Sequence, residues 1–311
     1  MAKVTNSFTS YDATADREDL SNVIYNIDPT ATPFMSAIGT KNVSNVVFDW
    51  QTENLPTPSG TGKLEGFELS RSASQATVRE SNVAMISSRD ATVSGSQDAS
   101  NAAGKKQELA HQMALMSKAL KRDMEVALCQ NTAKAAGNNT TARQTRSFES
   151  WITTNASRGS SGANGSASAA ATDGTQRNFT ETLLKGLLQT MYGNGAEPKL
   201  CIVGPVNKGK MSDFTGRANT RQTVSADTVS ASVSIYSGDF GEISIIPSNR
   251  SRERTALLVD PEYAKVSYLR GFSTMDIAKI GDADTKLILA EYGLEVSNEA
   301  AHGVVADLTT S

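Results

Sequence analysis

The sequence predicts an α+β fold with mixed sheets, on three observations. Val46, Phe48 and Trp50 alternate with Val47, Asp49 and Gln51, the period of a strand with one apolar face. Leu109, Met113, Met116, Leu120, Met124 and Ala127–Leu128 recur at spacings of three and four, the stripe of an amphipathic helix. From Phe179 onward, predicted helices and strands alternate loosely.

Residues 1–45 read as an arm. Asp16 can cap a turn carrying Leu20, Val23 and Ile24, and Ile27–Gly39 sets two prolines around a small apolar plug of Phe34, Met35 and Ile38. Such a segment is expected to latch onto a neighbouring molecule. A hairpin follows over 46–97. Its outgoing strand carries Trp50, its tip (Glu53–Gly66) is dense in Pro and Gly, and its return strand, about Ser72–Gly95, has only sparse apolar residues. A hairpin this long and polar is marginal alone and gains by lying on another surface.

The striped helix is expected from about Asp98 to Ala136, with Gly137–Asn138 as its stop. Its narrow, methionine-rich stripe suggests a thin sheet beneath it. Residues 155–176 are Ser, Ala and Gly with almost nothing apolar, a loop by composition. A helix capped by Thr180 and closed by Gly193 comes next. Then come a strand over Lys199–Pro205, a short helix near Asn207–Phe214 and strands near Val229–Tyr236, Glu242–Ile246, Ala256–Val259, Lys265–Tyr268 and Leu287–Ser297.

Size makes this order informative. A compact body of this length has a radius of gyration of about 20 Å, hence a diameter near ~50 Å. A helix over 98–136 would run roughly 58 Å, and two strands of about twenty residues would reach about 60 Å. On these lengths, helix and hairpin outgrow the body and need copies of the chain, or a partner, to cover them.

Composition narrows the function. The chain has 311 residues, 38% hydrophobic and 6% aromatic, with net charge −3 and a pI near 5.6. That balance argues against a sequence-reading nucleic-acid binder with a basic face, though not against a wall that encloses DNA. Cys129 and Cys201 are too few and too far apart for a disulfide framework, and are expected to be reduced and buried. The first residues carry no apolar signal-peptide core, and no run is long enough to span a membrane.

Catalytic chemistry finds little purchase. His111 and His302 are the only histidines and have no metal-ligand spacing. Asp239, Asp260, Glu262, Asp276, Asp282 and Asp284 mostly sit beside Gly or Pro, where turn capping is the expected role. Gly281–Lys286 lacks the spaced ligands and closing Glu of a calcium loop. Gly204–Ser212 follows a strand and opens a helix but lacks the GKS or GKT ending of a phosphate loop, so an N-capping turn is expected. No cofactor and no enzymatic activity are expected.

Five segments together carry a resemblance: Ile27–Gly39, Ala142–Asn155, Val233–Arg250, Leu257–Phe272 and Leu289–Gly303. In this order they resemble the major capsid proteins of tailed bacteriophages that share the Hong Kong-type capsid fold. The resemblance implies an N-terminal arm (1–45), an extended E-loop (46–97), a spine helix with the peripheral domain (98–178), an axial domain (179–280), and a return strand with the C-terminus (281–311). It implies hexamers and pentamers closing an icosahedral head around double-stranded DNA enclosed without sequence reading. It further implies portal and possibly scaffolding or decoration proteins as partners, with synthesis in the host bacterial cytoplasm and residence in the virion. With no cleaved scaffolding region before the arm, a separate scaffold or none is implied. Phe34, Met35, Trp50, Lys63, Arg71, Arg79, Arg143 and Arg146 are the candidates for contacts between subunits. A decoration or tail-tube subunit is the alternative. A carboxylate-based sugar hydrolase would need an aromatic-lined cleft, and only Trp50 and Trp151 are present.

Overall fold

A computed structural model describes residues 31–311 apart from 54, 56, 57, 59, 69–73, 75, 101–106 and 215–233. Twelve strands and six α-helices are described. The first part contains α1 (Pro33–Ala37), β1 (Gly39–Asn42), β2 (Val47–Thr52), β3 (Val78–Val83), β4 (Met85–Ser94), α2 (Gly95–Ala99), α3 (Glu108–Cys129) and α4 (Phe148–Trp151). After β5 (Ala156–Ser157) come α5 (Glu181–Gly193), β6 (Leu200–Val203), α6 (Pro205–Ser212), β7 (Ile235–Gly238), β8 (Gly241–Pro247) and β9 (Ala256–Val259). The long pair β10 (Ala264–Ile277) and β11 (Ala283–Val296) and the short β12 (Gly303–Val305) complete the chain. The sheets mix parallel and antiparallel pairs and the helices lie on them, so the fold is α+β.

Three sheets are formed, in the orders β1-β10-β11-β4, β5-β12-β9-β6-β8-β7 and β2-β3. The six-stranded sheet explains the apolar runs of β6 and β9. Leu200, Ile202, Leu257, Val259, Val304 and Ala306 face one core with α3 and α4. Cys201, Val203, Ala256, Leu258 and Val305 face a second core under α5. A strand buried on both faces needs continuous apolar sequence, not alternation.

α3 lies on the four-stranded sheet, against β4 and β11. Its stripe is the buried face, with Leu109, Leu120, Met124 and Leu128 buried and Met113 and Met116 partly so. The thin layer expected beneath it is therefore present, but the helix is shorter than the sequence suggested. It begins after Gln107, whose backbone is extended, and ends at Cys129, so its 22 residues span about 33 Å. Asn131 and Thr132 explain the early end. Asn131 exchanges two hydrogen bonds with the Ala171 backbone, at 2.6 and 2.9 Å, and Thr132 N donates to Ser147 Oγ at 2.7 Å. Side chains that bind backbone locally compete with helix continuation. Gly137, expected as the stop, instead turns the loop between Ala135 and Gln144 with φ +70°.

The hairpin is also built differently from the expectation. β2 pairs with β3 over six residues only, a ladder of about 20 Å. β4 then leaves that pair and joins β11, so the return strand is shared between two sheets. With these lengths the helix and the paired strands fit within a ~50 Å body. What extends from it is the outer hairpin, where every described residue from Glu53 to Glu68 is exposed.

α5 is capped as expected, Leu183 N donating to Thr180 Oγ1 at 3.4 Å. It ends at Gly193 as expected, with Asn194 as its C-cap and Gly195 following at φ +80°. β10 runs past the predicted Tyr268 to Ile277. Residues 155–176 are a folded loop despite their composition. Gly159 N and Gly174 N donate to the buried Asp307 carboxylate at 2.9 and 2.7 Å, which organises the loop around one charge.

Candidate functional site

The described outer residues of the hairpin are exposed, and its base is fixed firmly to the body. Asn82, wholly buried in β3, uses its whole amide. Its Nδ2 donates to Leu294 O at 2.6 Å and Arg146 O at 3.3 Å, and its Oδ1 accepts from Arg146 N and Val83 N, both at 2.9 Å. Phe48 lies over Gly293 of β11, where a Cβ would stand 2.7 Å from the ring and 3.0 Å from Val83 O. Phe48 stacks on Trp50 at 6.0 Å, Trp50 meets Trp151 at 5.3 Å, and the Arg146 guanidinium lies 4.1 Å over the Trp151 ring. Beyond Thr52 the described residues up to Glu68 are exposed. Leu55 is 93% exposed, Leu64 85% and Phe67 51%.

The eight candidate contact residues separate into groups. Phe34 is fully buried in its own chain, edge-on to Phe148 at 5.1 Å. Met35 is half-buried against the same core. The plug thus latches onto the chain that carries it. The reason is Glu125, wholly buried in α3, whose Oε1 and Oε2 accept from Phe34 N at 2.8 Å and Met35 N at 2.9 Å. This carboxylate caps α1. Burial raises its pKa, and the two amide bonds pull the other way.

Trp50 and Arg146 likewise serve the hairpin base within their own chain. Arg146 Nη2 donates to Ser150 O at 2.6 Å, and burial lowers its pKa to about 10, still cationic at neutral pH. Arg143 pairs with Glu291 at 2.6 Å, and Arg270 takes the other oxygen of that carboxylate at 2.7 Å. Arg79 pairs with Asp49 across the hairpin while its side chain stays largely exposed. Both arginines therefore find carboxylates within their own chain. Lys63 is exposed, its Nζ 5.8 Å from the Phe67 ring centre. Arg71 lies outside the described residues. Asn82, Trp151 and Gly293, which hold the hairpin, were missed, because an Asn in a polar strand carries no pattern of its own; only the alternation around Trp50 pointed there.

A second buried network ties the 155–176 loop to the six-stranded sheet. Glu149, with no exposed side-chain surface, accepts from Arg158 at 3.2 Å and Arg252 at 2.8 Å. Arg252 reaches on to Asp173 at 2.7 Å, and Arg254 joins Asp173 at 3.4 Å to Asp307 at 3.2 Å. Burial pushes the Asp173 pKa up, but the Arg252 bond with the Arg252, Arg254 and Arg158 charges outweighs it, and the pKa falls below the ordinary value. Three carboxylates and three guanidiniums balance, which permits the burial of Glu149 and Asp307.

Several residues considered for chemistry are occupied structurally. The N-terminus of α6 takes its own anion, Val206 N donating to Glu253 Oε1 at 2.9 Å, so the capping turn expected at Gly204–Ser212 is present. His302 is buried with Nδ1 accepting from Asp260 N at 3.2 Å and its ring edge-on to Phe148 at 4.9 Å. Burial lowers its pKa to about 4. Asp260 Oδ1 accepts from Glu262 N at 3.1 Å, and Lys279 pairs with Asp284 at 2.7 Å. Cys129 and Cys201 are buried free thiols, and burial pushes their pKa values up, that of Cys201 to about 12. Among the described residues, no group of three or more His, Cys, Asp and Glu is placed to hold a metal ion.

The fold of this chain has likenesses among solved structures. Its structure is similar to the capsid of a native GTA particle, with a TM-score of 0.67 at 11% identity over 96% of this chain and 98% of that one. It is similar to a structure from Gordonia phage Cozz, with a TM-score of 0.60 at 14% identity over 99% and 98%. A third likeness is to the holo-SrpI encapsulin complex from Synechococcus elongatus PCC 7942, with a TM-score of 0.57 at 13% identity over 96% and 94%. These establish the fold. In sequence, the chain is 30% identical over 128 residues to the major capsid protein of Escherichia phage Phieco32. That match covers 41% of this chain and little more than a third, 36%, of the relative. The family model described as SU10 major capsid protein matches residues 3–309, and the chain therefore belongs to the SU10 major capsid protein family.

Proposed function

We propose that this chain is the repeating wall subunit of a phage head, a structural protein and not an enzyme, closing an icosahedral shell of hexamers and pentamers. One observation carries the reading: a hairpin pinned at its base by Asn82 and the Trp50–Trp151 contact, whose described outer residues between Glu53 and Glu68 are all exposed. A stiff base aims the outer part away from the body, so its apolar side chains are covered when copies lie side by side. Each such contact is small, but closure repeats it around the whole shell, and repetition makes a weak contact collectively tight.

On this reading 1–45 is the arm, 46–97 the E-loop, 98–178 the spine and peripheral domain, 179–280 the axial domain and 281–311 the returning strand. The inner wall meets double-stranded DNA without reading it. Net charge −3 supports this, since a strongly basic lining would bind the phosphates. A portal supplies the DNA entry, and scaffolding or decoration proteins are further partners of the head. The subunit is made in the bacterial cytoplasm and ends in the virion.

The test is to express the chain alone and image it by negative-stain microscopy. Closed shells or capsomer-sized rings are expected. Monodisperse monomers at every concentration, together with catalytic turnover, would contradict the reading.

A further inference from the structure

Asparagine precedes glycine at two places in the chain, Asn164–Gly165 and Asn194–Gly195. In such a pair the glycine nitrogen reaches the asparagine side chain most readily, because no Cβ stands in its way. The fold treats the two pairs differently. Asn194 is the C-cap of α5, and its ψ of 5° turns Gly195 N away from the Asn194 side chain. Gly195 N donates instead to Tyr192 O at 3.0 Å, and Ala196 N to Met191 O at 2.9 Å. The Asn194 Nδ2 donates to Oδ1 of the buried Asn155 at 2.7 Å. Bringing Gly195 N onto that side chain would undo the cap.

Asn164 lies exposed in the 155–176 loop, and among the described residues no acceptor takes the Gly165 amide. Arg158 Nε donates to Asn164 Oδ1 at 2.8 Å, so a cation polarises the side-chain carbonyl towards attack at its carbon. The restraint on the leaving nitrogen is its bond to Thr153 O at 2.7 Å. The surroundings also favour a carboxylate over an amide here. Arg158 shares Glu149 with Arg252, and its Nη2 is buried without a partner. Arg177 adds a guanidinium to the three that are balanced, and its described bonds go to Ser157 Oγ and Ala306 O, not to a carboxylate. The network is therefore one negative charge short on the side that Asn164 faces.

We infer that Asn164 is a site of spontaneous deamidation, and that the carboxylate it leaves pairs with Arg158. Gly165 N attacks Asn164 Cγ, the bond from Cγ to Nδ2 breaks, and Nδ2 departs as ammonia with the proton from Gly165 N. A five-membered succinimide remains. Water then opens the ring. Attack at Cγ restores the main chain and leaves aspartate, whereas attack at the main-chain carbonyl leaves isoaspartate. One water is consumed, one ammonia is released, and nothing is oxidised or reduced. All reacting groups belong to one chain and to solvent, so the change does not depend on assembly.

The test ages the folded chain at mildly alkaline pH and follows its tryptic peptides by mass spectrometry. Cleavage after Arg158 and Arg177 isolates Asn164 in peptide 159–177, and cleavage after Lys185 and Lys199 isolates Asn194 in peptide 186–199. Peptide 159–177 is expected to gain one mass unit about tenfold faster or more, since Asn194 must first give up one or two cap hydrogen bonds. In urea the two peptides should gain mass at similar rates, because the fold no longer separates the pairs. Equal rates in the folded chain, a faster gain at Asn194, or no gain at either while the unfolded chain reacts would each overturn the inference. Asn164→Asp checks the pairing. It is expected to melt ~1–2 °C above the parent at low salt, with the difference lost at high salt. A melting temperature below that of the parent overturns the pairing with Arg158.

Discussion

Glu125 shows how a single residue changes the meaning of a segment. In sequence it lies off the apolar stripe of the helix, and Phe34 and Met35 look like a plug for another molecule. In the fold its carboxylate takes both their amides, and the plug becomes the chain's own. Replacing it with Ala leaves two amides unpaired, one of them buried, and is expected to cost about 2–4 kcal/mol in denaturant unfolding. Gln retains one acceptor, so Glu125→Gln is expected to cost roughly half as much.

His302 makes a pH prediction. Its folded pKa, near 4, lies below the ordinary 6.5, so folding favours the neutral ring. The stability is full above pH 6.5 and is lost as pH falls from there towards 4. The loss amounts to ~3 kcal/mol. His302→Asn keeps an acceptor for Asp260 N and removes the titration. Urea unfolding at pH 7 and pH 4.5 should show a smaller drop in that variant than in the parent. An equal drop would assign the acid sensitivity elsewhere.

At the scale of elements, the periodic segments were legible and the boundaries were not. The α3 stripe, the cap of α5 and the apolar runs of β6 and β9 each rest on a local pattern, and each appears where the pattern lies. The ends of α3 depend on Asn131 meeting Ala171 and Thr132 meeting Ser147, contacts across 40 and 15 residues that no local period encodes. The same holds for the hairpin. Its alternation was visible, but the transfer of the return strand from β2 to β11 depends on the pairing of distant residues.

The hairpin base gives the sharpest test at this scale. Gly293→Ala places a methyl against the Phe48 ring and the Val83 carbonyl and is expected to cost about 1–3 kcal/mol. Asn82→Ala breaks all four amide bonds and should cost about 3 kcal/mol or more. Both variants should speed proteolysis near residues 46–52 in the free chain, a readout that a remote core defect would not localise. By contrast, Thr180→Ala removes only the α5 cap. It should cost about 1 kcal/mol in thermal or denaturant melts and leave the hairpin as it was.

For the whole molecule, the expectation of an incomplete subunit was reached through lengths that the fold does not have. A 22-residue helix fits within the body, so the helix does not carry the argument. The exposed hairpin carries it, and that part was legible from its Pro- and Gly-rich tip and the greasy face around Trp50. The partners that candidate contacts find within the chain were not legible, because a surface arginine and one bound to a distant carboxylate, such as Arg143 with Glu291, look alike in sequence.

If the head is built as proposed, the described residues between Glu53 and Glu68, exposed in one chain, are covered by another. An electron cryo-microscopy reconstruction of particles assembled from the unmodified chain tests it most directly. The account predicts closed shells in which Leu64 and Phe67 lie against a neighbouring copy in every hexamer. Shells in which those side chains face solvent throughout would contradict it.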